Sequence, residues 1–471
     1  MEMTSASNSK IESRVELGKV RTEERSAAAM MEATRAREAS LSRLLMAYIS
    51  SGLIFMLLPG TFLGVWNLLQ ISGSESAGFI SPAWLQAHGH AQVFGWVGSF
   101  IFGIGFYSIP KFRGTAIGTL RAAWICWVMW TLAVALRWVA NVYGWQWRFL
   151  LPLSAVLELA AFLIFFRAVS QHRPGTSSKS RFDPWIGVVI GASLGFLTSL
   201  ALNLGGTFYV ALRGDSPAFP HAFDQHCLTV IAWGFLVPFV WGFSAKWMSV
   251  FLGLKPVRPK LLFAALGMNF AGIVLTFSGF EAAATALFVA GVALAIVALR
   301  MFEPRINEPK TKGVHSSFPY FIRTTYGWLL LASVLGVGAA RWDHSGGIWG
   351  ASRHALTVGF IATMVLCVGQ RVLPAFVGMR LLWSTRIMFA SLALLTVGCA
   401  LRVPCEIVAY QGYANWAWLA LPASGVLELA GISAFAMNIF GTFILEPSHF
   451  YKQSLVIPSV AKENNGTAPN A

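Results

Sequence analysis

The sequence predicts an all-α membrane protein with about twelve transmembrane helices arranged as three four-helix repeats. Three observations lead to this fold class. The chain has 471 residues, of which 56% are hydrophobic and only 12% are charged, and this composition excludes an ordinary soluble globular protein. Apolar stretches of about 20 residues, the length that crosses a bilayer as a helix, recur along the chain. Parts of the sequence also repeat at long intervals.

The apolar stretches define the individual helices. We predict twelve spans, at 44–70, 84–110, 119–141, 146–168, 184–212, 225–250, 260–279, 282–301, 319–340, 352–376, 385–408 and 415–444. They form a transmembrane domain over residues 44–446. Residues 1–43 alternate in charge and carry no apolar run of this length, which indicates a polar cytoplasmic tail and not a signal peptide. Residues 447–471 are predicted to be a disordered cytoplasmic tail.

The 35 basic residues, which outnumber the 20 acidic ones and give a net charge of +15, support this topology. With the N-terminus inside, all but six of them fall on the cytoplasmic side, as the positive-inside rule requires. The six on the outer side are Arg137, Arg148, Arg213, Arg341, Arg353 and Arg402. The positive charge therefore marks loops that face an anionic lipid surface, and the predicted partner is the lipid bilayer and not a nucleic acid.

An internal repeat relates the first and last thirds of the chain. Residues His90–Gly114 align without gaps on His354–Gly378 with seven identities, and 151–160 resemble 421–430. A weaker third copy opens at His226. The predicted four-helix units are about 44–170, 184–302 and 319–446.

Each unit carries a histidine near the start of its second helix: His90, His226 and His354. A histidine in an apolar span is costly and usually faces the bundle interior or a functional cavity. Imidazole is a common ligand of haem iron and copper, so we expect three repeated helices to bring these histidines together at a metal or haem site. The alternative is that each histidine caps its helix or bonds to a backbone carbonyl.

His88 adds a second histidine to helix 2. Residues two apart on a helix point about 200° from each other, so His88 and His90 cannot easily bind one metal from a regular helix. They could serve two cofactors on opposite faces. The candidate metal ligands are therefore His88, His90, His226 and His354.

Charged residues in the same membrane layer are further candidates. Arg137, Arg353 and Arg402 could neutralise haem propionates, or they could simply extend to the membrane surface. Glu158 and Glu428 lie near the middle of helices 4 and 12, where an ionised carboxylate is costly. We expect them to be protonated, paired with a neighbouring helix, or part of a proton path.

Two motifs resemble the NnrS family of haem- and copper-containing bacterial membrane proteins of the nitric-oxide response. His88–Trp96, with the sequence HGHAQVFGW, is similar to the family's His-x-His-Glu-Met-x-Phe-Gly motif, although Ala91 and Gln92 replace its Glu-Met. Arg353–Gly359, with the sequence RHALTVG, is similar to its Arg/His-Ala-Leu-Thr-Val-Gly motif. The resemblance implies haem, copper, nitric oxide as a small gaseous ligand, and a place in the bacterial inner membrane.

The arrangement also resembles, in architecture, the catalytic subunit of haem-copper oxidases and nitric-oxide reductases. That resemblance implies ligands on helices 2, 6, 7 and 10, but this chain has no His-His pair on helix 7 and no His-x-x-x-Tyr on helix 6. Three hypotheses follow. The first is an NnrS-like haem protein, the second is a redox enzyme such as a nitric-oxide reductase or quinol oxidase, and the third is a proton-coupled transporter that uses Glu158 and Glu428.

Overall fold

The computed structural model describes residues 3–112, 120–170, 183–377 and 381–444. Over these ranges the chain consists of helices joined by short turns, and none of the described residues forms a strand. Twelve helices are long and apolar enough to cross a membrane, which confirms the predicted fold class. The predicted C-terminal tail, 447–471, lies outside the described residues.

The twelve helices are numbered here in chain order. They are α1 (Ala27–Ser74), α2 (Pro82–Lys111), α3 (Leu120–Tyr143), α4 (Trp147–Ser170), α5 (Pro184–Arg213), α6 (His221–Leu252), α7 (Pro259–Phe277), α8 (Glu281–Leu299), α9 (Phe318–Trp342), α10 (Gly347–Phe376), α11 (Thr385–Tyr410) and α12 (Trp416–Ile444). Most bounds lie within a few residues of the prediction. The main difference is at the N-terminus, where the helix that continues into α1 already begins at Met3, because Ala, Glu, Arg and Met in the polar segment favour helix.

The helices pack as three equivalent four-helix units. In each unit consecutive helices are in contact and the second helix also contacts the fourth. Contacts of α4 with α5, α8 with α9 and α12 with α1 close the ring. As a result α2, α6 and α10 lie innermost, and we call the end where these three helices begin the histidine end of the bundle.

The three inner helices share an irregularity at the same place. Each changes from α- to π-helix, over Ala91–Gly98 in α2, Val230–Leu236 in α6 and Ala355–Ala362 in α10. In α2 and α10 the π-helix begins directly after His90 and His354. In α6 it begins directly after Thr229.

The π-helices shared by α2, α6 and α10 show how the third repeat, in α6, aligns with the other two. Gly95, Gly234 and Gly359 occupy the fifth position of the three π-helices. The residue of α6 equivalent to His90 and His354 is therefore Thr229, and His226 lies about one helical turn earlier. The sequence pairing of His226 with His354 was wrong by three residues.

Candidate functional site

His88 in α2 is held by a backbone carbonyl of α1. Its Nδ1 lies 2.9 Å from the carbonyl oxygen of Gly60. Gly60 belongs to a fourth π-helix, Met56–Phe62, which contains Pro59 and interrupts α1. Because a carbonyl can only accept, Nδ1 carries the proton in the neutral ring, and Nε2 keeps its lone pair for a ligand.

A glycine of α1 makes room for this imidazole. A Cβ at Gly64 would lie 2.5 Å from Cε1, 2.8 Å from Nδ1 and 3.2 Å from Nε2 of His88. All three distances are shorter than van der Waals contact, so α1 can pass this close to the ring only because residue 64 has no side chain.

His354 in α10 is held in the same way. Its Nδ1 lies 3.0 Å from the carbonyl oxygen of Gly350 and 2.9 Å from Oε2 of Glu406 in α11. Both groups accept hydrogen bonds, so Nδ1 again carries the proton and Nε2 is available. A carboxylate or carbonyl behind the distal nitrogen is the usual arrangement of histidines that bind metals. The His354 side chain remains 29% exposed, whereas that of Glu406 is 7% exposed.

The two imidazoles lie in one region of the bundle between α1, α2 and α10–α12, which we call a compartment. His354 and Arg402 lie close enough to His88 for their charges to interact with it. Nε of Arg402 donates to Oε2 of Glu406 at 3.2 Å, but its Nη1 has no hydrogen-bond partner among the described residues, although the side chain is only 9% exposed. A buried guanidinium N–H without a partner is costly, and it indicates that an acceptor belongs there.

Two further buried polar groups border this compartment. Oε1 of Glu428 in α12 has no partner within the described part of the chain, and Glu428 lies within electrostatic range of His354 and Arg402. Neither the oxygen nor the nitrogen of the Asn67 amide has a described partner, and Asn67 lies one turn from Gly64 on α1. The compartment thus combines two available imidazole nitrogens with unsatisfied polar atoms. These residues fit a metal-containing group that carries anionic substituents.

His90 lies in a different compartment, where its Nε2 is at ion-pair distance from a carboxylate but makes no hydrogen bond within the described residues. Its Nε2 is 2.9 Å from Oε1 of Glu158, a fully buried carboxylate of α4. Asn203 of α5 donates to Oε2 of Glu158 at 2.9 Å, and Arg137 of α3 donates to the Asn203 oxygen at 3.2 Å. The His90 ring also stacks on Phe94 at 4.5 Å. These contacts connect four helices. Glu158 and Arg137 therefore belong to a polar network between helices.

His226 and the third compartment offer no comparable site. The His226 ring stacks on Phe277 of α7 at 4.7 Å. Next to it Trp233 stacks on Phe288 at 4.5 Å, and Val230, Ile273 and Phe288 form a buried apolar cluster. Aromatic and aliphatic side chains therefore fill the space between α6, α7 and α8.

The expected convergence of His90, His226 and His354 is wrong. The first contacts Glu158 of α4, the second stacks on α7 and the third contacts Glu406 of α11. Among the described residues, no group of three or more His, Cys, Asp or Glu side chains could hold a metal ion. The residues therefore do not fit a three-histidine copper centre, whereas haem would need at most two ligands from the protein.

The remaining predicted arginine, Arg353, lies between two acidic groups. It is within electrostatic range of Asp224 in α6 and of Glu406. Asp224 is also within range of Arg137, so it lies between two arginines at the histidine end. The sequence reasoning missed Asp224, Asn203 and Glu406. Only Glu406 had a recognisable signal, an Arg402–Glu406 pair at i, i+4 in an otherwise apolar helix.

Comparisons with known proteins identify the fold. The chain resembles a chain from a cryo-EM structure of a haem-copper terminal oxidase dimer. The TM-score is 0.55, the sequence identity is 12%, and the match covers 87% of this chain and 85% of that chain. The chain thus has the fold of a haem-copper oxidase subunit. Residues 225–442, less than half of the chain, match a family model described as a domain of unknown function, DUF8744. No curated protein matches.

Proposed function

We propose that this multi-pass membrane protein binds haem, and that Nε2 of His88 and Nε2 of His354 would hold the iron. One observation carries the proposal. Each imidazole is fixed through Nδ1 by acceptors of the chain itself, at 2.9 Å for His88 and at 2.9 and 3.0 Å for His354, which leaves the Nε2 lone pair of each ring for a ligand, and the two rings lie within electrostatic range of each other. The oxidase-type fold supports the proposal, but fold alone does not establish activity.

The surrounding residues have definite roles in this proposal. The Gly60 carbonyl and the Glu406 carboxylate fix the tautomer and orientation of the two rings and raise their basicity as ligands. Arg402 would donate its unpaired Nη1 hydrogen bond to a haem propionate, a charge-assisted contact. When bound, haem would supply reversible one-electron iron chemistry, whose potential depends on these ligands and on burial.

The finer part of the proposal is an NnrS-like role in the nitric-oxide response, in the bacterial inner membrane with both termini in the cytoplasm. It rests on the two sequence motifs around His88 and His354.

Copper is not included in this proposal. The described residues do not provide a site with three or more suitable ligands, and aromatic packing fills the compartment beside α6 and α7. The transporter hypothesis gains no support from Glu158, because this carboxylate is bonded to Asn203 and lies at ion-pair distance from His90.

The visible spectrum of the purified protein, with haem and metal quantification, tests the proposal. After expression with adequate haem we expect a Soret band and low-spin features typical of two histidine ligands. His88→Ala and His354→Ala should each abolish these features or convert them to high-spin ones. His226→Ala is the matched control and should leave them unchanged. A haem-free preparation, or identical spectra for all variants, would overturn the proposal.

A further inference from the structure

An apolar cavity lies between the three inner helices, away from the histidines. Its wall extends from Val97 to Ser108 on α2, from Leu236 to Met248 on α6 and from Ile361 to Phe376 on α10. The cavity has a volume of about 110 Å³. We call it the axial cavity, because it follows the centre of the three-unit ring.

The axial cavity is long and parallel to the helices. At about 1.5 Å rise per residue, the wall on α2 is roughly 16 Å long and that on α10 roughly 22 Å. Val240 and Val365, which face the cavity, are only half-buried although they lie on innermost helices. The shape suits one extended chain and not a compact ring system.

The wall of the cavity is almost entirely apolar. Apart from Ser108 and Ser244 it consists of aliphatic, aromatic, methionine and glycine residues, and Ser244 already accepts a 2.7 Å hydrogen bond from Tyr326. Water needs two or more polar partners to occupy such a space, so an apolar cavity stays dry or takes an apolar molecule. The chemistry of the wall therefore selects a hydrocarbon.

The ends of the three helices next to the cavity are basic. Lys111, Lys246 and Arg371 lie on α2, α6 and α10, within one turn of residues that line it. Lys111 contacts Glu38 at 2.6 Å, and Lys246 contacts Asp183 at 3.1 Å. These pairs are partly exposed, and exposed pairs contribute little, so the lysines can exchange a carboxylate for a phosphate.

We propose that the axial cavity binds one acyl chain of a membrane phospholipid, whose phosphate lies at this basic end. The apolar wall selects the chain and the basic ends of α2, α6 and α10 select an anionic amphiphile over a neutral one. This inference is independent of haem binding.

Photo-crosslinking of the full chain in lipid nanodiscs tests the inference. The probe is phosphatidylglycerol with a diazirine at the end of one acyl chain, and peptide mass spectrometry locates the adducts. We expect adducts at the end of the cavity away from the basic residues, on residues such as Ile361 and Met364. Val240→Phe and Val365→Phe, which narrow the cavity, should reduce these adducts several-fold.

Two controls separate this result from general lipid contact. Val128→Phe and Val334→Phe change valines that are 53% and 50% exposed on the outer surface of α3 and α9, and they should leave the cavity adducts unchanged. Adducts of the unaltered protein confined to such outer surfaces would overturn the inference. So would labelling of the cavity by a neutral diazirine polyisoprenol but not by the phospholipid, which would assign the cavity to an isoprenoid chain.

Discussion

Replacing Gly64 by alanine should displace His88, one of the two proposed haem ligands, although neither ligand is itself substituted. The added Cβ would lie 2.5 Å from Cε1 of the ring. Ordinary van der Waals contact begins at about 3.4 Å, so the imidazole or the helix must move by roughly 0.9 Å. Functional constellations tolerate displacements of about 0.5 Å, so the shift exceeds what an axial bond allows.

The same shift also disturbs the hydrogen bond behind the ring. The 2.9 Å contact of Nδ1 with the Gly60 carbonyl fixes the tautomer, and loss of such a partner typically costs about 10- to 100-fold in metal affinity. We therefore expect haem affinity to fall by at least about tenfold, equivalent to about 1.4 kcal/mol.

Haem titration followed by absorbance and electron paramagnetic resonance measures this effect. Gly64→Ala should show weaker binding and a high-spin component from loss of one histidine. Gly73→Ala is the matched control on the same helix, because a Cβ there meets nothing within 4 Å. The reasoning fails if Gly64→Ala keeps the affinity and the low-spin spectrum of the unaltered protein.

Three further predictions concern charged groups. Arg402→Gln should weaken haem binding about tenfold, because a charge-assisted contact is lost. The same titration measures this, and an unchanged affinity would contradict the proposed contact of Arg402 with a propionate. Glu158→Ala should lower the free energy of unfolding by about 1–3 kcal/mol, because the Asn203 Nδ2 donor loses its acceptor and His90 loses its ion-pair contact. The Soret band should not change, and a spectral change would place His90 at the haem. The hydrogen bond from Lys246 lowers the pKa of Asp183 below its usual 3.8. The ionised Asp183 carboxylate therefore contributes to stability above pH 4, and this contribution is lost as the pH falls through the lowered pKa. The thermal unfolding of Asp183→Asn should lack this dependence on pH.

The helices could be predicted from the sequence because each span corresponds to one continuous run of apolar residues. The four-helix units could be predicted because the first and third retain matching residues around His90 and His354. Glu406 was missed although it lies at a recognisable spacing from Arg402. Asn203 and Asp224 could not have been found, because their roles depend on which helices are neighbours in space.

The register of α6 could not be derived from spacing alone. A π-helix places one extra residue in each turn, and nothing in the composition of Val230–Leu236 distinguishes it from an α-helix. The sequence therefore does not distinguish an alignment that begins at His226 from the correct one. The register error concerns His226 alone. His90 and His354 occupy equivalent positions, but each contacts the carboxylate of an outer helix of its own four-helix unit.

The π-helix of α10 allows the two halves of this helix to face different neighbours. In a regular α-helix His354 and Ile361, seven residues apart, would lie on the same face. Here His354 contacts α11 and Ile361 lines the axial cavity. One extra residue turns everything after it by roughly 100°. Deleting a single residue between positions 355 and 362 would therefore rotate the whole second half of α10, and we expect changes in segment length here to be far more harmful than changes in residue type.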